Sequence, residues 1–163
     1  KESRLPKKEF DDSGITQGLK WQLREIEKID FKSQNQNIVI VGDVATGKTS
    51  LAAHIARKAT QKGTKAIYFT EEDFIAAYKT QKTTRARIHH SDLIVIDELF
   101  YLTPSAENLV YLYKTIMFLA ETRSFIFVTN RPMSEWENMN VDTHIVSTFR
   151  QRIMTNAQLI HLG

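Results

Sequence analysis

The stretch from Gly42 to Thr49, GDVATGKT, constrains the fold of this chain more than any other feature of its sequence. It follows the apolar run 37–41 and opens the stretch 50–56, whose composition is typical of a helix. The spacing GxxxxGK[ST] between a strand and a helix is that of a phosphate-binding loop, in which backbone N–H groups surround a polyphosphate. The positive end of the helix dipole favours the same anion. The sequence therefore predicts a strand, a nucleotide-binding loop and a helix, in this order.

Two side chains of this loop have specific roles in such a site. The Lys48 ammonium can reach the β and γ phosphates, and the Thr49 hydroxyl can bind Mg²⁺. The alternative is a turn between strand and helix that contains glycine and binds nothing. If the nucleotide binds, the expected contacts are Gly42, Asp43, Val44, Ala45, Thr46, Gly47, Lys48, Thr49 and Ser50.

Composition restricts the class of protein. A length of 163 residues suits one domain, and 42% hydrophobic with 25% charged residues is ordinary for a globular protein. No apolar run approaches the length of about 18 residues that a membrane span needs, so we expect no membrane partner. Because cysteine and an apolar leader are both absent, we expect a cytoplasmic location. The sequence leaves open whether residues are missing before Lys1, within 70–92 or after Gly163.

The hydrophobic pattern alternates between helices and strands. Strands are predicted at 37–41, 66–69, 93–96, 125–128 and 159–162. Helices are predicted at 15–26, from 50 to the residue before Gly63, at 71–79, 85–90, 104–122, 134–139 and 142–152, with a polar break at Thr83-Thr84 and Pro104 in a first turn. This alternation favours an α/β fold in three layers, with a parallel five-stranded sheet flanked by helices. Residues 1–14 are polar and aperiodic, and we expect them to lead into a domain of residues 15–163.

Acidic and amide side chains follow two of the buried strands. Asp97 and Glu98 close the strand at 93–96, where Asp97 can hold Mg²⁺ and Glu98 can activate a water for attack on the γ-phosphate. Asn130 follows the next strand and would lie at the same edge of a parallel sheet, where ligands bind. The alternatives are an acidic strand end and a turn-forming asparagine.

Cations are concentrated in two places. The run from Lys79 to His90, KTQKTTRARIHH, contains four Lys or Arg residues and no acid, which indicates either a solvated helix face or contacts to a nucleic-acid backbone. Arg150 and Arg152 lie near the end of the last predicted helix. They either face solvent or reach the nucleotide of a neighbouring subunit as an arginine finger.

The tracts GDVATGKTSLA, DLIVIDELFYL, FIFVTNRPMSEW and FRQRI together resemble the ATPase domain of IstB-like transposition helpers. This family lies in the AAA+ initiator clade, which also holds DnaC-like helicase loaders. The resemblance covers residues 37–163. It implies that Gly42 to Thr49 is Walker A, Asp97-Glu98 is Walker B, Asn130 is sensor 1 and Arg152 is the arginine finger.

The resemblance also implies cofactors and partners. These are ATP and Mg²⁺, duplex DNA, other copies of the chain with shared ATP sites, and a transposase that the ATPase assists. A replicative helicase is the alternative client, as for a helicase loader, and a small P-loop kinase or a nucleotide-gated scaffold is a third possibility. The clade's helical insertion falls at 71–90, so the expected DNA contacts are Lys79, Lys82, Arg85 and Arg87.

The sequence departs from the family pattern in three ways. Phe100 stands where the family usually has glycine, and the segment between Phe69 and Leu93 is short. The sequence ends one strand after Arg152 with no helical lid evident, so we expect closure of the nucleotide site to depend on a neighbouring subunit.

Overall fold

The computed structural model describes residues 5–163, which contain one parallel sheet and the helices that cover it. The strands are β1 (Asn37–Gly42), β2 (Ala66–Thr70), β3 (Leu93–Asp97), β4 (Ser124–Thr129) and β5 (Ala157–Leu162). The helices are α1 (Gln17–Glu27), α2 (Lys48–Gln61), α3 (Glu71–Thr80), α4 (Lys82–His89), α5 (Ala106–Ala120) and α6 (Thr143–Met154), with a 3₁₀ helix at Met133–Asn138. The strand order is β2-β3-β4-β1-β5, and every pairing is parallel. The predicted α/β fold is confirmed.

Alternate residues of the central strands point to opposite faces of the sheet. Ile38 and Ile40 of β1 pack with α1 and α2, whereas Val39 and Val41 pack with α3, α5 and α6. Because both faces are covered, these strands consist of continuous apolar runs rather than alternating ones. Each fully buried Val or Ile side chain stabilises the fold by about 1.5–3 kcal/mol.

Two predicted boundaries are wrong. The break between α3 and α4 lies at Gln81, whose backbone is extended, and not at Thr83-Thr84, which belong to α4. The buried Thr84 hydroxyl donates to the Gln81 side chain at 3.0 Å and so stabilises the start of α4. Pro104 precedes α5 instead of lying in its first turn, because the Ser105 hydroxyl caps the helix by accepting the Asn108 N–H.

Residues 5–14 contain neither helix nor strand, yet they contact the helix that follows the phosphate-binding loop. The Arg57 guanidinium on α2 donates to the Pro6 carbonyl at 2.5 Å and to the Lys8 carbonyl at 3.3 Å. The Phe10 ring lies 5.8 Å from the His54 ring. The leading segment therefore runs along α2 towards the loop. Within residues 5–163, no helix has the length and apolar character to cross a bilayer.

Because all the strands are parallel, their carboxyl ends lie at one edge of the sheet. The loop 42–49 follows β1, Asp97 ends β3, and Asn130 follows β4. The end of β5 closes against the loop so tightly that a Cβ on Gly42 would lie 2.5 Å from the Leu162 carbonyl oxygen. Only glycine fits at this position, and the loop is fixed by its neighbouring strand.

Candidate nucleotide-binding site

The loop between β1 and α2 encloses a concave, positively charged site. Gly47 caps α2 in the left-handed conformation, with φ of 88°, and leaves the helix N–H groups unobstructed. Lys48 is only 4% exposed, and its ammonium donates to the Asp43 carbonyl at 2.6 Å. Burial lowers the pKa of Lys48, while Asp97 and Asp43 oppose this shift. Within residues 5–163 the hydrogen-bond partner of this buried ammonium is a backbone carbonyl, so the cation is well placed to accept an anion.

A cavity of about 210 Å³ lies against this loop. Its walls are formed by Lys8, Val44, Ala45, Gly47, Lys48, Thr49, Ser50 and Tyr101. Lys8 and Tyr101 are not among the residues that the sequence predicted. No motif in the sequence marks Lys8, which reaches the cavity through the path of the leading segment along α2. Tyr101 lies only three residues after Glu98, so its closeness in sequence to a predicted site residue was a signal. Burial, together with Asp97 and Glu98, raises the pKa of Tyr101 to about 12, so the phenol stays protonated at neutral pH.

The acid that ends β3 lies beside the loop. The Thr49 hydroxyl donates to Asp97 Oδ2 at 2.8 Å, and the Tyr68 hydroxyl donates to the same oxygen at 2.5 Å. Asp97 is 2% exposed. Burial and the bond to Asp97 raise the pKa of Tyr68, so this phenol also stays protonated. Tyr68 was not predicted from sequence, where it was assigned only to a strand.

The Thr49 hydroxyl and the Asp97 carboxylate are suitable ligands for a magnesium ion. Among residues 5–163, no three His, Cys, Asp or Glu side chains converge to hold a metal. A cation here would instead be held by one hydroxyl, one carboxylate and the phosphates of a nucleotide, and such a set of hard oxygen ligands suits Mg²⁺. The predicted pair of metal ligands, Thr49 and Asp97, is brought together.

Glu98 directly follows Asp97 and has an uncommon backbone conformation. Its φ is 58°, and its N–H donates to Asp97 Oδ1 at 2.7 Å. Partial burial raises the pKa of Glu98, and nearby Asp97, Asp73 and Glu72 add to the shift. The next amide, that of Leu99, donates to the Val128 carbonyl at 2.8 Å. This bond brings the turn to the end of β4, where Asn130 follows two residues later.

The two arginines of α6 differ in their surroundings. Arg150 forms an ion pair with Glu137 at 2.9 Å, whereas Arg152 is exposed. Neither of them lines the cavity at the loop of its own chain.

The four cations of the basic run also differ. Arg85 donates to the carbonyls of Tyr78 and Lys79 at 2.8 and 3.2 Å, and therefore binds the last carbonyls of α3. The Lys79 ammonium lies 4.7 Å from the centre of the Tyr111 ring, which is within the range of a cation–π contact. Lys82 and Arg87 are exposed.

The strand order, the loop after β1 and the acid at the end of β3 together define a P-loop nucleotide-binding domain of the AAA+ type. The chain belongs to the family of IstB-like ATP binding proteins, whose model matches residues 4–163. The resemblance seen in the motifs is confirmed, and the match also includes most of the leading segment.

Relatives and solved structures agree with this assignment. An insertion sequence IS21-like ATP-binding protein of Bacteroides fragilis is 27% identical over 87% of this chain and 56% of its own length. The insertion sequence IS232 ATP-binding protein of Bacillus thuringiensis subsp. berliner is 27% identical over 94% of this chain and 64% of its own length. The chain thus spans less than two thirds of either relative.

Two solved structures share the fold. The DnaC helicase loader aligns with a TM-score of 0.73 over 94% of each chain, at 15% identity. AMPPCP-bound DnaA from Aquifex aeolicus aligns with a TM-score of 0.70 over 97% of this chain and 51% of its own, at 21% identity.

Proposed function

We propose that this chain is an ATP-dependent, DNA-binding AAA+ ATPase that oligomerises on duplex DNA and assists a transposase. The observation that best supports nucleotide hydrolysis is the contact of 2.8 Å between Thr49 and Asp97, with Glu98 next in sequence. This arrangement joins a phosphate-binding loop to a metal ligand and a candidate base.

Binding of ATP exchanges one partner of Lys48 for another. The ammonium leaves the Asp43 carbonyl and binds the β and γ phosphates, whose charge compensates for the burial of Lys48. Thr49 and Asp97 would hold Mg²⁺, which supplies positive charge to the phosphate oxygens. The N–H groups at the start of α2 bind the remaining phosphate oxygens.

Hydrolysis needs a base and a means of orienting the water. The Glu98 carboxylate accepts a proton from water as the water oxygen bonds to the γ-phosphorus and the bond to the ADP oxygen breaks. Asn130, at the end of the neighbouring strand, orients the water or the γ-phosphate.

Oligomerisation and DNA binding rest on exposed cations. Exposure of Arg152 supports a role as an arginine finger on the nucleotide of an adjacent subunit, and such sharing requires an oligomer. Lys82 and Arg87, with Lys79, supply charge for the phosphates of duplex DNA. Arg85 holds the corner between α3 and α4 in place for these contacts.

Glu98→Gln tests this function. The amide cannot take a proton, so turnover should fall by roughly 10²-fold while ATP affinity is retained. Glu121→Gln, an exposed site at the end of α5, is the matched control.

The slow Glu98→Gln variant, held in ATP, should also retain the client in a pull-down. A transposase among the retained proteins supports the proposal, and a replicative helicase supports a helicase loader instead. Unchanged turnover in Glu98→Gln would refute the catalytic assignment.

A further inference from the structure

The turn after β3 holds two residues in the left-handed region. Glu98 and Phe100 both have φ of 58°, although neither is glycine. Backbone of this kind is retained only where surrounding contacts determine it, and it is concentrated at functional sites. The contacts that hold this turn therefore also determine where the Glu98 carboxylate lies.

The peptide groups on both sides of Phe100 are held by side chains from elsewhere in the fold. Its N–H donates to Glu71 Oε1 at 2.9 Å, and its carbonyl accepts from Arg131 Nε at 3.0 Å. Glu71 is the first residue of α3, and Arg131 follows Asn130 after β4. The turn after β3, the start of α3 and the segment after β4 thus meet at Phe100, which lies two positions after the candidate base.

The surroundings of this residue are closely packed. The Phe100 ring is fully buried and lies 5.1 Å from the Trp136 ring in an edge-to-face arrangement. The Trp136 indole N–H donates to the Arg131 carbonyl at 3.0 Å. The aromatic packing therefore holds both Phe100 and the arginine that binds its carbonyl.

A glutamate is an unusual acceptor for the buried Phe100 N–H. Burial raises the pKa of this carboxyl, and the hydrogen bond from the Phe100 N–H opposes the shift only in part. Among residues 5–163, no Lys, Arg or His forms an ion pair with it. Burial of a carboxylate without a cationic partner is costly, which argues that its hydrogen bond to the turn is needed.

We infer that Glu71 and Arg131 are positioning residues that hold the Glu98 carboxylate towards the γ-phosphate by fixing the peptide groups on both sides of Phe100. This inference rests on the proposed role of Glu98 in hydrolysis. Both side chains contact the backbone of Phe100, two residues after Glu98, so both act through the turn. Loss of either hydrogen bond should let the turn relax and reduce the fraction of molecules in which Glu98 is correctly oriented.

The first test measures the turn directly and needs no nucleotide. Glu71→Ala should accelerate amide hydrogen exchange at Phe100 by roughly tenfold or more, because the amide loses its acceptor. Exchange at Leu99, whose N–H is held by the Val128 carbonyl, should change far less. Glu71→Gln keeps an oxygen acceptor and should retain protection. Wild-type exchange at Phe100 in Glu71→Ala would overturn the inference.

The second test separates positioning from binding. Glu71→Ala should lower kcat for ATP by roughly tenfold with KM within about twofold of wild type, and Glu71→Gln should restore kcat. Glu107→Ala, an exposed acid in the first turn of α5, is the matched control. Arg131→Ala should act in the same direction. The double variant should be little slower than the slower single one, since both bonds hold the same residue of the turn.

The outcomes distinguish this inference from the proposed function. Full turnover in Glu98→Gln would overturn the catalytic role of Glu98 on which this inference rests. A slow Glu98→Gln with unchanged kcat in Glu71→Ala would overturn the positioning role alone, and so would a Glu71→Gln variant as slow as Glu71→Ala.

Discussion

The Arg150 guanidinium donates to Glu137 Oε2 through Nη2 at 2.9 Å and through Nε at 3.2 Å. This pair ties α6 to the 3₁₀ helix at Met133–Asn138. Arg152 lies two residues further along α6, a spacing that does not place two residues on the same helix face, and it is exposed. Of the two arginines, Arg150 therefore has an intrachain role, and Arg152 is the better candidate for contact with a second copy.

Arg152→Ala should bind ATP almost normally but hydrolyse it about 10³-fold or more slowly in the presence of DNA, as expected for loss of an arginine finger. Mixing it with Lys48→Ala should recover activity, because one subunit supplies the nucleotide site and the other supplies the arginine. Arg150→Ala is the comparison variant. If both arginine variants hydrolyse ATP at the wild-type rate, catalysis is not shared between subunits.

Lys48→Ala should abolish ATP binding, because it removes the cation that faces the β and γ phosphates. Lys58→Ala, an exposed site on the same helix, should leave affinity unchanged. Calorimetric titration of ATP into the folded variants measures the difference. Wild-type affinity in Lys48→Ala would refute the assignment of the loop.

Phe100 combines a buried ring with a left-handed backbone, so two costs can be separated at this residue. Phe100→Ala should destabilise the fold by about 3–5 kcal/mol. Phe100→Gly should be more stable than Phe100→Ala by about 1–2 kcal/mol, because glycine adopts positive φ without a steric penalty. At Phe125 in β4 the order should reverse, with Gly about 0.5–1 kcal/mol below Ala. Denaturant unfolding gives the free energy of unfolding of the four variants. The same order of Ala and Gly at both sites would contradict the prediction.

Glu71→Gln should change the pH dependence of stability. Burial raises the pKa of Glu71 above its ordinary value of 4.5, so the folded state binds this proton more tightly than the unfolded state. That stability is present below the unfolded pKa and is lost as pH rises through the folded one. Glutamine does not ionise, so the variant should match wild type near about pH 4 and be more stable near about pH 7. Melting temperatures across this range decide it. An equal difference at both pH values would contradict the prediction.

Lys82 and Arg87 are exposed cations of the basic run, and their joint neutralisation should weaken duplex binding similarly for all sequences. The slope of log affinity against log salt should fall by up to about two units, since each phosphate contact contributes about 0.9. Arg85→Ala should instead lower the melting temperature, because it removes hydrogen bonds to two carbonyls of α3. An unchanged salt slope would show that Lys82 and Arg87 belong to a solvated face.

The local pattern of the sequence was enough to predict the strands, the helices that alternate with them and hence a parallel sheet, and the loop from Gly42 to Thr49. These features follow from periodicity and from motifs that span a few residues. The edge where Asp97, Glu98 and Asn130 gather was also predictable, because parallel strands place their carboxyl ends together. The sequence also showed that Phe100 stands where the family usually has glycine. Its φ of 58° gives the physical reason why glycine suits that position.

The distant side chains that complete these elements are brought into place by the tertiary fold. Tyr68 reaches Asp97 because β2 lies beside β3, and Lys8 reaches the loop because Arg57 holds the leading segment on α2. The contacts of Glu71 and Arg131 with Phe100 likewise join parts of the chain about 30 residues apart. Such contacts depend on strand order and on the direction of single side chains, and neither leaves a period or a spacing in the sequence.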